Sequence, residues 1–379
     1  MILAWLAACE PPAGPDSADP PDTEEAAAPF DCGDDADAPA LVSTWTQAGI
    51  VPAAGLFGFA SNGTYPVHVV SHTTGEWRAD QDDLSWRGLA VGVTHTLAEL
   101  AMNPFDPSDL LRSSGGMLNR SRDHGETWVA TPFGQGEFPG ATYAVARAPY
   151  DPDRVYAVLH TGGTGFSDDG GTTFTHTTDA PASQTESLHS FSGWRLLGPP
   201  APGGRLLFGD GHGVLASDDE MATWSTLLTA ESPGVSLVRD PADPDRVRLG
   251  GWTSEDGGDT WVDDGQVGVR AAAWGERLVL LTAESVLVSE DGVTFTERAV
   301  SAEDPRGVAL VGERIFVADA RGVVVSDDGG STWSRADAGL DDDAMSVVEA
   351  HPACPARLMV GSRCTGGLYL SGDYGLGRS

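Results

Sequence analysis

"SDDGGSTW", residues 326–333, packs two aspartates, two glycines, a hydroxyl and a tryptophan into one short stretch. A metal loop, a sugar-binding turn and a plain chain reversal would all share that composition, and its recurrence decides among them. The template Ser-x-Asp-x-Gly-x-Thr-aromatic returns as "SRDHGETW" (Ser121, Asp123, Gly125, Trp128), "SDDGGTTF" (Ser167, Asp169, Gly171, Phe174) and "SEDGGDTW" (Ser254, Asp256, Gly258, Trp261). The opening copy supplies Ser326, Asp328, Gly330 and Trp333. Two weaker copies depart from it. "SDDEMATW" keeps Ser217, Asp219 and Trp224 but loses the glycine, and "SEDGVTF" keeps Ser289, Asp291 and Phe295 but is one residue shorter. "ADQDDLSW" (79–86) is degenerate, and "SGDYG" supplies Ser371, Asp373 and Gly375 just before the chain ends. From 79 to 371 the copies advance in seven steps of roughly 42 residues, a period found in propeller blades.

Each repeat carries two apolar stretches upstream of the octapeptide. Between them stands a Pro/Asp turn, as in "MNPFDPSDLL" (102–111), "RAPYDPDRVYAV" (147–158), "RDPADPDRVRLG" (239–250) and "AHPACPARLMVG" (350–361). "RLVLLTA" (277–283) and "RIFVADA" (314–320) fill the second slot in the sixth and seventh repeats. Proline fixes φ and Asp side chains bond turn amides, so the pattern predicts strand, turn, strand. The predicted unit has four strands, the third ending at the octapeptide serine and the fourth starting at its aromatic. "STWTQAG" (43–49) matches the strand that follows an octapeptide, as in "STWSRADAG" (331–339), so the N-terminal strand is expected to complete the last unit. The fold class is therefore all-β: a propeller of four-stranded blades, eight expected and seven the alternative because the 79–86 copy is degenerate. Radial repetition of this kind leaves only short, protected edges.

These octapeptides resemble the Asp-box, or BNR repeat, of sialidases, the sortilin luminal domain, two-propeller xyloglucanases and Ycf48-like assembly factors. The resemblance covers about residues 41–376 and implies that each octapeptide is a hairpin turn on the propeller rim. The residues agree with that role. Ser and Asp oxygens accept from turn amides, Gly takes φ > 0 at little cost, and the aromatic packs over the hairpin. The reading of Asp328 is therefore structural rather than metal-binding. The spacing also lacks the ligand pattern of an EF-hand loop.

Composition bounds the partners. With 22 basic and 56 acidic residues, net −34, the chain repels phosphate backbones and anionic lipid, so nucleic acid is not an expected partner. No segment is apolar and long enough for a membrane-spanning helix. Lysine is absent, so every basic side chain is arginine. At the N-terminus "MILAWLAAC" ends in Leu6-Ala7-Ala8-Cys9 and resembles a bacterial lipobox, with Cys9 as the lipid-bearing residue after cleavage. No Lys or Arg precedes that apolar run, which places the true start codon in question. Residues 10–40 are rich in Pro, Ala, Asp and Glu, contain no basic residue, and cannot bury a core. The expected organisation is a signal peptide at 1–9, a disordered acidic tether at 10–40 and the propeller at 41–379, held at the envelope by lipid as a monomer. By resemblance to known lipoproteins, Glu10 after Cys9 is compatible with the outer membrane or cell surface.

Beyond Cys9 stand Cys32, Cys354 and Cys364, an odd number for an exported chain. "PARLMVGSR" between Cys354 and Cys364 reads as an extended strand, which carries those two beyond disulfide reach if straight. Cys32–Cys354 is favoured, Cys32–Cys364 stays open, and a bulge would allow Cys354–Cys364.

The search for chemistry matches no catalytic, metal or cofactor constellation. An active sialidase needs an arginine triad, an Arg-Ile-Pro motif, a Tyr/Glu pair and an Asp. The nearest triplet, Arg314-Ile315-Phe316, lacks the proline. His68 and His72 in "VHVVSH" share a strand face without a third ligand in view. "HTGGTGF" (160–166) reads as a hairpin rather than a phosphate cradle. Trp194 in "SGWRLLGPP" is the most loop-like of the tryptophans outside the octapeptides, and Trp274 falls in an inner-strand slot. The expected function is a non-enzymatic binding or assembly scaffold for an envelope protein, peptide or glycan. The alternative is a sialidase-like or xyloglucanase-like hydrolase or sugar-binding protein, whose paired carboxylates are set in space rather than in sequence.

Overall fold

In a computed structural model, the described strands begin at Trp45 and end at Ser371. Residues 1–44, 51–55, 61–66, 72–74, 80–86, 92–99, 115–116, 134–141, 160–162, 178–194, 210–212, 231–236, 241, 267–268, 270, 275–276, 312–313, 338–339, 341–344, 352–353, 363–366 and 372–379 lie outside the described residues. With them lie Cys9, Cys32, Cys364, His72, Trp194, Asp373, Gly375 and nearly all of the 79–86 octapeptide.

Among the described residues the strands form eight four-stranded antiparallel sheets. The second sheet shows the plan: Leu100–Asn103, Asp106–Ser114, Met117–Ser121 and Val129–Ala130, in sequence order. The third strand ends at the octapeptide serine, whereas the fourth begins one residue after the aromatic rather than at it. In the second, third, fifth and seventh sheets that fourth strand is only two residues long. The octapeptide's own side-chain bonds hold its aromatic outside the ladder, so pairing resumes only beyond it.

The eighth sheet departs from sequence order. Met345–His351, Cys354–Ser362 and Gly367–Ser371 are followed at the outer edge by Trp45–Ile50, with Trp45 opposite Ser371. Around the molecule, first strands neighbour one another. Leu56–Ala60 of the first sheet lies beside both Leu100–Asn103 and Met345–His351, which closes the circuit through the N-terminal part of the chain.

Period-two alternation explains why the second strands read as unbroken apolar runs. In Val155–Leu159 every residue is buried. Val155, Ala157 and Leu159 pack with Leu111 and Leu118 of the second sheet, whereas Tyr156 and Val158 pack with Leu206, Phe208 and Leu215 of the fourth. Ile315 and Val317 turn likewise to the sixth sheet, Phe316 and Ala318 to the eighth. Successive side chains point to opposite faces of a strand, and each face here meets another sheet. The core is therefore a set of seams between sheets. Burial of a Leu, Ile, Val or Phe in such a seam stabilises by about 1.5–3 kcal/mol.

Candidate functional site

The octapeptides are self-bonded turns. In the second sheet Ser121 Oγ accepts from the Gly125 amide (2.7 Å) and donates to Asp123 Oδ1 (2.7 Å). Asp123 accepts from the Thr127 amide (2.9 Å) and hydroxyl (2.6 Å). The same set recurs at Ser167/Asp169/Gly171/Thr173, Ser254/Asp256/Gly258/Thr260 and Ser326/Asp328/Gly330/Thr332. "SDDEMATW" forms it too: Glu220 (φ 56) and Met221 (φ 70) take the left-handed region usually left to glycine, and the Met221 amide donates to Ser217 Oγ at 2.8 Å. Met221 is fully buried between the third and fourth sheets, and that packing holds it in its strained backbone conformation. The shorter sixth turn is different. Asp291 Oδ1 accepts from the Val293 and Thr294 amides, and Ser289 donates to it.

These bonds fix the carboxylates as anions. Thr332, through its hydroxyl and then its amide, draws the Asp328 pKa down to about 2. Partial burial of Asp169 favours its proton, but the Thr173 amide and hydroxyl and the Ser167 hydroxyl outweigh it and leave its pKa at about 2. Asp219, Asp256 and Asp291 are lowered by the same kind of bond. A carboxylate that already accepts three bonds has about one of its four lone-pair sites left for a ligand.

The octapeptide aromatics pack into the seam with the preceding sheet, and Trp261 also bonds its own turn, Nε1 donating to Gly258 O at 2.9 Å. Phe174 packs in the second–third cluster, Trp224 in the third–fourth, Trp261 in the fourth–fifth and Trp333 in the sixth–seventh. Trp128 stacks under Arg112 at 4.0 Å, and Phe295 lies 4.8 Å from the guanidinium of the buried Arg248.

A second feature escaped the sequence reading. Arginines reach from one sheet to the octapeptide of the next. Arg78 donates to His124 O (2.7 Å) and pairs with Glu126 (3.0 Å). Arg120 donates to Asp169 O (2.6 Å) and Thr172 Oγ1 (2.7 Å). Arg154 meets Glu220 (2.5 Å), Arg205 meets Asp259 (2.6 Å), and Arg246 donates to Asp291 O. Arg154 and Arg205 grip an acid of their own sheet as well, Asp168 and Asp218, and Arg277 and Arg314 pair within their own sheets with Glu290 and Asp327. The planar guanidinium, with donors in a fixed fork, suits such two-partner contacts better than an ammonium would. Arg154, Arg205, Arg246, Arg277 and Arg314 all stand where the second strand begins, in "DRVYA", "GRLLF", "DRVRL", "ERLVL" and "ERIFV". That recurrence was the available signal.

The second sheet reverses the plan. Asp109 occupies the second strand and is almost fully buried, with Arg120 bidentate on it (2.8 and 2.8 Å), Arg147 of the third sheet at 3.0 Å and Asn103 at 3.2 Å. Burial favours protonation of Asp109, but Arg120, Arg147 and Asn103 outweigh it and keep its pKa below the ordinary value.

Two clefts open at equivalent places on these seams. One, of about 470 Å³, lies between the second and third sheets against Arg122, Asp123, Val129, Ala130 and Thr172. The other, of about 410 Å³, lies between the sixth and seventh against Glu290, Asp291, Thr296, Arg298 and Gly329. Among the described residues no group of three or more His, Cys, Asp or Glu is arranged to hold a metal ion. His68 is fully buried within its strand. Cys354 opens the second strand of the eighth sheet, and neither its favoured partner Cys32 nor Cys364 lies among the described residues.

No protein-family model matches the chain, and no curated protein matches it. Solved structures do. The C-terminal WD40 domain of Sif2 aligns over 88% of this chain and 99% of its own, with TM-score 0.61 and 12% identity. YCF48 bound to D1 peptide aligns over 87% and 97%, with TM-score 0.54 and 12% identity. The GH74 enzyme of Niastella koreensis aligns over 87% of this chain, with TM-score 0.55 and 16% identity, and this chain spans about half of that enzyme, 54%. At such identities the likeness speaks for architecture alone. This chain is an all-β protein with the β-propeller fold, built of four-stranded antiparallel sheets.

Proposed function

We propose that this chain is a binding or assembly propeller of the Asp-box kind, with its eight sheets as eight blades, carried on the bacterial envelope by a lipid at Cys9 and an acidic tether. One observation carries the non-enzymatic reading. The recurring carboxylates each accept three bonds from their own turns, and most of the described arginines are engaged by neighbouring acids or turn carbonyls, so these groups serve the fold. Catalytic carboxylates of glycosidases work by exchanging protons or attacking a sugar, which requires free oxygen lone pairs. The fold shared with a peptide-bound YCF48 is compatible with a peptide partner, and the fold shared with a GH74 enzyme is what favours the hydrolase alternative.

The test pairs two assays. Purified residues 33–379 are offered a panel of fluorogenic glycosides, sialosides included, and the full chain is used to capture partners from solubilised envelopes. The proposal expects no turnover and a captured protein, peptide or glycan that competes in purified form. Turnover above an inactive-propeller control would contradict it. Fatty-acid labelling of the full chain, lost in Cys9→Ser, tests the anchor separately.

A further inference from the structure

Arg122 breaks the charge pattern of the octapeptides. At its position, directly after the serine, the turns at 167, 217, 254, 289 and 326 carry Asp168, Asp218, Glu255, Glu290 and Asp327. In the second sheet the acid has moved to Asp109, which is satisfied by Arg120 and Arg147. Among the described residues Arg122 is thereby left without a carboxylate partner. Its single hydrogen bond is from Nη2 to Thr172 Oγ1 at 3.2 Å, which leaves most of its donors facing solvent.

Its surroundings define what would meet it. Arg122 lines the second–third cleft together with Val129 and Ala130. Val129 is an apolar side chain 70% exposed. Asp123 also lines the cleft, but both its oxygens are taken by Ser121 and Thr127. The volume, about 470 Å³, is within the range of small-ligand sites. A free guanidinium fork suits a carboxylate, which it can hold through two parallel hydrogen bonds. The net charge of −34 opposes any anion at a distance, so charge alone would not hold a ligand and apolar contact must contribute. That requirement excludes a bare inorganic anion and selects a carboxylate carrying a short aliphatic body.

We propose that the cleft between the second and third sheets binds an aliphatic carboxylate, Arg122 pairing with the carboxylate and Val129 and Ala130 covering the aliphatic group. Two sources share this chemistry: a free branched-chain acid, and the C-terminus of a polypeptide ending in an aliphatic residue. The sixth–seventh cleft is the comparison. There Glu290, paired with Arg277, stands in place of the arginine and Thr296 in place of the valine, with Arg298 also on the lining, so the same ligand meets mixed charge and a polar residue where Val129 stands. This inference goes beyond the scaffold reading and is independent of the anchor.

Titration calorimetry of the full chain tests it with three probes: 4-methylpentanoate, the tripeptide Ala-Ala-Leu, and the same tripeptide with an amidated C-terminus. Saturable binding of the tripeptide, lost on amidation, is expected. Arg122→Gln should weaken it about tenfold or more, because a charge-assisted pair is removed. Val129→Glu should abolish it, whereas Arg298→Gln should leave it unchanged. Comparable binding of 4-methylpentanoate would identify a free acid as sufficient, and binding of the tripeptide alone would point to a polypeptide end. The proposal is overturned if neither free carboxylate binds, if amidation makes no difference, or if Arg122→Gln binds as the parent does with an unchanged unfolding midpoint.

Discussion

At the second–third seam the residue after the octapeptide serine is Arg122, and the acid that anchors the seam is Asp109, buried under two guanidiniums. At the sixth–seventh seam that residue is Glu290, 72% exposed and 3.4 Å from Arg277. The backbone plan is common to both: a third strand ending at serine and a self-bonded turn. What differs is where the charges are buried. The difference shows that the repeat fixes the hydrogen-bonded turn while leaving each seam free to choose its electrostatics, and one such choice leaves a guanidinium over an apolar cleft.

The largest expected effect separates the two seams by burial. Asp109→Ala should destabilise by about 3–5 kcal/mol in denaturant unfolding, because it strands Arg120 and Arg147 without their shared partner. Glu290→Gln, which removes an exposed pair, should cost no more than about 1 kcal/mol. Equal costs would mean that the seams do not differ in this way.

The serines give the next contrast. Ser121 Oγ bonds the Gly125 amide and Asp123, whereas Ser289 in the shortened turn bonds Asp291 alone. Ser121→Ala should therefore cost about 1–3 kcal/mol through the buried amide it leaves unbonded, and Ser289→Ala less. Acid titration bears on the same turns. The folded pKa of Asp169 and Asp328, about 2, lies below the ordinary 3.8. A depressed folded value stabilises fully above the unfolded pKa, and that stabilisation is lost as pH falls from about 3.8 toward about 2. The unfolding midpoint should therefore be insensitive to these turns down to pH about 4 and should drop below it.

Glycine positions give smaller effects. Gly171 has φ +94 with Leu111 Cδ2 2.9 Å from where a Cβ would stand, and Gly330 has φ +91 with its nearest neighbours at 3.2 Å. Gly171→Ala should destabilise by about 1–3 kcal/mol and Gly330→Ala by less. Met221→Gly tests the opposite solution. Loss of a buried side chain, about 2–5 kcal/mol, should outweigh relief of its backbone strain, so the variant is less stable despite restoring the glycine. Smallest of all, Arg122→Gln and Arg298→Gln should each change stability by no more than about 0.5 kcal/mol in the absence of ligand.

The fold was legible because its determinants are local. Unbroken apolar runs such as "VYAVL", Pro/Asp turns and the recurring Ser-x-Asp each act within a few residues, and the match of "STWTQAG" to "STWSRADAG" placed the N-terminal strand in the last sheet. The seam chemistry was not, because its partners lie on neighbouring sheets. Arg205 and Asp259 are 54 residues apart, and nothing in one repeat reveals the other. The direction of the aromatics was also hidden, since Trp333 and its octapeptide are adjacent in sequence while the cluster it joins belongs partly to the sixth sheet. Both the arginine at the start of the second strand and the sign reversal at Arg122 were visible as patterns, but they acquire meaning only once the seams are known.

The central claim is that the octapeptides are self-bonded turns held by buried serine oxygens, and amide hydrogen exchange tests it most directly. The amides of Gly125, Gly171, Gly258 and Gly330 sit in turns yet donate to buried serine oxygens at 2.7–2.8 Å. The account predicts that these four exchange as slowly as the amides of the second strands. Exchange at the rate of open surface turns would contradict it.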